Sequence, residues 1–204
     1  MKTTSLMESN IIDLNFRPIS YSHPNELAKL ACQYYKINRN LHKHLLNDDV
    51  YVKDLSLYIN KTVYNNQFFY TFDSKPELKL TLKPRGFIVK AFYMAALRSH
   101  YNSLCAVIDR SKLIALNKLI SEDDLSLIIS SSPKQKINKV IRDYFSFRKH
   151  ISCTLCEMMS TWVLMLPSSL SARMKLKLPN RYLCSSFGNQ SQYFDNLYWA
   201  VERQ

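Results

Sequence analysis

Apolar positions fall at three- and four-residue steps through residues 87–132. Phe87, Ala91, Met94, Leu97, Tyr101, Leu104, Cys105 and Ile108 follow that spacing, which lines one face of an α-helix. Leu113, Leu116, Leu119 and Ile120 make a second, shorter stripe. A third helix is predicted from Ser121, whose hydroxyl can accept an unpaired backbone N–H while Asp124 reaches back in a capping box. Glu122, Asp123 and Asp124 place negative charge against the positive end of that helix dipole. Three short helices in series are therefore expected at the centre of the fold.

Before this centre, residues 1–10 are polar and expected to be disordered. Residues 11–26 are expected as an extended segment packed on the core, because Pro18 and Pro24 push their predecessors out of helical geometry. Pro24 suits a first helical turn, followed by a stripe of Leu27, Leu30, Ala31 and Tyr34. Further helix is expected over 40–66 around Leu45, Leu46, Leu55, Tyr58 and Ile59, interrupted at Asn47–Asp49. The alternation in ELKLTLK predicts a short strand or extended segment near 68–85. After the centre, Ser132 and Pro133 predict a helix start with Ile137, Val140, Ile141, Tyr144 and Phe145 on one face. Residues 150–166 read as a buried helix stopped by Pro167. Residues 167–190 are expected to be rich in loops, and the chain closes in an amphipathic helix through Phe194, Leu197 and Val201.

Composition sharpens the fold class. Only two glycines occur, Gly86 and Gly188, in 204 residues, which leaves little of the turn chemistry that sheets use. An all-α fold is expected, as a single helical domain over 1–204 with enough apolar residues for a substantial core. The 28 basic and 16 acidic residues give a formal charge of +12, favouring an acidic protein, a nucleic acid or an anionic membrane surface as partner. Five cysteines, an odd number, do not form a secreted disulfide framework, and a reducing cytoplasm is the expected location. The N-terminus lacks the apolar run of a signal peptide, and no stretch has the ~20 apolar residues of a membrane span.

No nucleotide-binding glycine loop, nucleophile elbow, zinc-protease helix or paired-carboxylate pattern is present, so no catalytic residue, no cofactor and no metal site is expected. His150, Cys153 and Cys156 form HxxCxxC but lack a fourth ligand, and the cysteines are expected on a largely buried helix. His42 and His44 are expected on a solvated surface. Basic residues interleaved with aromatics at Lys75–Lys90 and Lys134–Lys149 suit phosphate contact and stacking. They equally suit solvated helix faces, and nucleic acid is not the favoured partner.

The segment NFRPISYSHPNEL, with Phe16, Pro18, Tyr21, His23, Pro24 and Leu27, resembles the opening of the SctK family of bacterial type III secretion proteins, which includes OrgA, MxiK and YscK. The stretch ALRSHYNSLCAVIDRSKLIALNKLISEDDLSLII is similar to the middle of that family. The resemblance implies a non-enzymatic cytoplasmic adaptor of the sorting platform, docked at the inner-membrane base of the secretion apparatus. It implies two protein partners, the cytoplasmic domain of the inner-membrane ring and the pod complex, with membrane association only through them. Partner contact is expected at Phe16, Pro18, Tyr21, His23 and Pro24 and on the basic face at Lys139 and Arg142. The favoured role for Phe16, Tyr21 and Leu27 is nonetheless structural, stapling the N-terminal segment to the core while Pro18 and Pro24 fix the turn. A small basic nucleic-acid-binding or regulatory protein is the alternative.

Overall fold

The computed structural model describes residues 2–70, 76–107, 120–133, 136–183 and 194–203, with side chains from Ser9 onward. Every regular element among them is helical, so the chain is all-α. It forms two compact units: the first comprises 1–85 and 163–180, the second 86–162 and 181–204.

Unit 1 begins with α1 (Lys2–Phe16), α2 (Pro18–Tyr21) and α3 (Pro24–Tyr35). The N-terminal stretch is thus helical where a disordered and then extended segment is expected. The prolines do not break this run because each sits in the first turn of its own helix, where no N–H is needed. The His23 imidazole accepts the Asn25 N–H at 3.2 Å as N-cap of α3, and Lys36 closes that helix at a left-handed φ of 55°. Asn38 caps α4 (Arg39–Leu45), and Asp48 caps α5 (Asp49–Thr62) through Val50 and Tyr51 N–H. The polar interruption at Asn47–Asp49 is therefore a junction between two capped helices.

Two further elements of unit 1 depart from expectation. Pro76–Thr81 is a short helix, α6, not a strand; the alternating ELKLTLK has no partner strand to pair with among the described residues. Residues 71–75 lie outside those described. Leu27, Ala31, Tyr51, Leu55, Ile59, Tyr64 and Leu176 form the buried core.

In unit 2, α7 (Arg85–Ser99) runs almost directly into α8 (Tyr101–Val107). Ile88, Ala91, Phe92 and the whole run Met94–Ser99 are buried, so the last part of α7 is covered all round and not along one face. Cys105 is exposed, and the second stripe around Leu113 and Leu116 lies outside the described residues. The helix from Ser121 forms as expected: α9 (Glu122–Ser130) carries the complete Ser121–Asp124 capping box. The Asp124 carboxylate also meets Lys90 at 2.8 Å.

The helix expected from Ser132 starts later. Residues 136–142 are irregular, and α10 runs Tyr144–Met165, with the Asp143 carboxylate accepting the Ser146 N–H at 2.7 Å. The reason is competition: the Ile137 N–H donates to the Ser99 carbonyl at 2.7 Å and the Ile141 N–H to Ser103 Oγ at 2.9 Å, so neither is available to a helix. Along α10, Phe147, Ile151, Leu155, Met158, Met159 and Trp162 are buried, and the Trp162 ring lies 5.4 Å from that of Phe92. The chain returns to unit 1 within this helix and then forms α11 (Ser168–Lys177), where loops are expected. The last helix, α12 (Phe194–Glu202), buries Phe194, Leu197 and Ala200.

Candidate functional site

The residues of the NFRPISYSHP motif separate into a buried set and an exposed set. Pro18 is buried and Tyr21 half-buried. The Tyr21 hydroxyl donates to the Leu14 carbonyl at 3.0 Å and lies 2.9 Å from the Tyr64 hydroxyl. Burial raises both phenols, Tyr64 to about 12 and Tyr21 well above its ordinary value, so both stay neutral at physiological pH. The His23 N–H donates to the Leu176 carbonyl at 2.9 Å, and His23 and Pro24 together open α3. Pro18, Tyr21 and His23 thus hold the helix junctions.

Phe16 behaves differently: it is 47% exposed. Its ring stacks on Phe68, centroids 5.0 Å apart and planes 23° apart, and Phe68 is followed by Tyr70 at 6.3 Å. Phe68 is 38% and Tyr70 60% exposed, and Ile12, one turn before Phe16 on α1, is exposed as well. These four side chains form a row of apolar surface across α1 and the segment 67–70. That segment arrives through Asn65 and Asn66, both at positive φ (48° and 53°), a conformation asparagine tolerates better than most residues.

Two buried polar side chains fix the row in place. Asn15, fully buried, pairs with both backbone groups of Phe69: its Nδ2 donates to the carbonyl at 2.7 Å, and its Oδ1 accepts the N–H at 2.9 Å. This sets Phe68 and Tyr70 on the solvent side beside Phe16. Arg173, also fully buried, donates to the carbonyls of Leu14, Gln67 and Ser169 at 3.0, 2.6 and 2.8 Å. Its guanidinium lies 4.3 Å from the Tyr64 ring centroid. Leu14 is in the last turn of α1, where carbonyls have no helical partner, so Arg173 and Tyr21 cap that helix from outside. Lys177 does the same for α6: its Nζ donates to the Thr81 carbonyl at 2.9 Å, and burial pushes its amine down to about 8. Arg173 and Lys177, expected among loops, are thus buried in a helix.

Unit 1 also holds an open groove of about 510 Å³ lined in part by Glu26, Lys29, Leu30, Ala172 and Lys175. Its charges are largely engaged with one another, since Glu26 pairs with Lys29 at 3.1 Å and accepts from Asn180 at 3.2 Å.

The remaining candidates lie in other places. Lys139 and Arg142 belong to unit 2 and are exposed, whereas the N-terminal motif belongs to unit 1. Cys153 is exposed and His150 likewise, while Cys156 is half-buried with its thiol donating to the Arg181 carbonyl at 3.4 Å. The expected burial of Cys153 is corrected, because it falls on the outward side of α10. His42 is buried, not solvated, its Nδ1 lying 2.7 Å from the Tyr51 hydroxyl; His44 is exposed. Among the described residues no three His, Cys, Asp or Glu side chains are grouped to hold a metal ion, and no helix is long and apolar enough to cross a membrane.

Residue patterning missed Asn15, Phe68, Tyr70 and Arg173. The aromatic density of NQFFY was the available signal for the two aromatics. Nothing in periodicity distinguishes a buried arginine from the solvated ones. No protein-family model matches the chain, and no curated protein or solved structure matches it.

Proposed function

We propose that this protein is a non-enzymatic adaptor that binds other proteins through the row of Ile12, Phe16, Phe68 and Tyr70. The observation that supports this is the pre-organised exposure of three aromatics: Phe16 stacked on Phe68 with Tyr70 tilted beside it, and the backbone behind them locked by Asn15 and Arg173. Aromatic side chains held rigid before binding lose little conformational freedom on docking, and such residues dominate protein interfaces. The SctK resemblance supplies the setting: an adaptor of a type III secretion sorting platform, joining the inner-membrane ring to the pod complex and serving export from the cytoplasmic side.

A tagged full-length protein recovered from its native host after nuclease treatment tests this. Ring and pod proteins of a secretion apparatus are expected by mass spectrometry, with recovery reduced roughly tenfold in the double variant Phe16→Ala/Phe68→Ala, a typical hot-spot loss. Recovery that is unchanged in the variant removes the aromatic row from the interface. Nuclease-sensitive material without those proteins overturns the adaptor reading in favour of a basic nucleic-acid-binding protein.

A further inference from the structure

Unit 2 carries a ridge of different chemistry at the junction of 136–142 with α10. Phe145 is 79% exposed and Val140 47%. Around them Lys139, Arg142, Arg148 and Lys149 are all exposed, and none of the four is ion-paired among the described residues. The nearest acid in sequence, Asp143, holds the first turn of α10 through the Ser146 N–H.

The ridge is held stiffly. Alternate residues of the irregular segment are tied down on α7 and α8: Ile137 through its N–H to the Ser99 carbonyl, Lys139 through its carbonyl to Ser103 Oγ at 3.2 Å, and Ile141 through its N–H to the same oxygen. Ile141 is buried. Val140 and Arg142, on either side of the buried Ile141, are exposed. On α10, Phe145, Arg148 and Lys149 are spaced i, i+3 and i+4 and share one face, and Phe147 and Ile151 fill the opposite one.

We infer that this ridge binds directly to an anionic lipid surface, with Phe145 and Val140 entering the headgroup boundary and the four cations contacting acidic headgroups. Three features favour lipid over other acidic partners. The apolar pair includes an aliphatic side chain, which adds nothing to base stacking, whereas both side chains gain on leaving water at a bilayer interface. The cations flank the exposed apolar groups along the chain and on one face of α10, a combination suited to a surface that dips into a headgroup layer. They are also mostly unpaired with neighbouring groups, so no fixed geometry is required of the partner, as suits fluid headgroups. This contact is additional to any membrane association made through partner proteins.

Sedimentation of the full-length protein with vesicles tests the inference. Phosphatidylcholine vesicles containing about one-third phosphatidylglycerol are expected to bind it, and phosphatidylcholine alone is not, with affinity falling as salt rises. Arg142→Gln/Lys149→Gln should weaken binding about 25-fold, at about fivefold per basic residue lost. Phe145→Ala should weaken it about fivefold. Melting temperatures of these exposed-site variants are expected to match the parent, so a loss of binding is not a loss of fold. Equal binding to neutral vesicles, or anionic binding indifferent to these variants, overturns the inference. So does tighter binding of an oligonucleotide at the same salt that depends on the same residues. A failure of the Phe16/Phe68 experiment leaves this one standing, because it reads lipid and not protein recovery.

Discussion

Buried ionisable side chains give this protein a pH dependence that its surface charges do not. Lys177 has its amine pushed from 10.5 down to about 8 by burial. Below pH 8 both folded and unfolded states carry the proton. Between 8 and 10.5 the folded state releases it first, so stability rises with pH there, by at most about 1.4 kcal/mol per unit. Tyr21 and Tyr64 act in the opposite sense, since their raised values let the unfolded state ionise first above pH 10. Chemical denaturation across pH 7–11 should therefore show stability climbing from about pH 8 and turning down beyond about pH 10. In Lys177→Met the climb should vanish. On the acid side His100, buried with Nε2 2.9 Å from Thr154 Oγ1, is lowered from 6.5 to about 4 by burial and by His150. His42 is lowered by burial as well. The stability these neutral rings contribute is complete above pH 6.5 and is lost as pH falls towards 4. His100→Gln should flatten that acid limb, and an unchanged limb would assign it to other groups.

At the scale of the element, helix ends and one side-chain clamp carry the specificity. Ser121→Ala removes the hydroxyl half of the capping box at α9 and should cost about 1 kcal/mol, a fall of roughly 2–4 °C in melting temperature for a chain of this size. Asn15→Ala is expected to cost more, about 2–4 kcal/mol, because it strands both backbone groups of Phe69 against a buried surface. It should also weaken partner recovery by letting Phe68 and Tyr70 drift from Phe16, whereas Phe68→Ala should weaken recovery with little change in melting. A wild-type melting curve for Asn15→Ala would show that the clamp is not what holds the 67–70 segment. The Ser121 cap was legible in the sequence because its two partners, Ser121 and Asp124, are three residues apart. The Asn15 clamp was not, because its partner is 54 positions away and asparagine in a helix carries no periodic signal.

For the whole molecule the two proposed surfaces should be separable. Phe16→Ala/Phe68→Ala is expected to lower partner recovery and leave vesicle binding intact, and Phe145→Ala to do the reverse; a single variant that abolishes both would merge them. Sequence alone determined the all-α class, the capped helix from Ser121, the core helix ending at Pro167 and the terminal helix. Each of these follows from contacts within a few residues: turn chemistry that is absent, caps that are present, apolar residues spaced by 3.6. It also identified the N-terminal motif, but not which of its members face solvent. Tertiary structure alone decided that Pro18 begins a helix instead of holding an extended segment, and that Ser99 and Ser103 engage the backbone of 136–142 so that it does not coil. It likewise decided that Arg173, Lys177 and His42 are buried. Arg173 and Lys177 are buried because carbonyls from remote segments converge on them, which offsets the cost of removing a charge from water. Such convergence is a property of the packed chain, and no local spacing of residues encodes it.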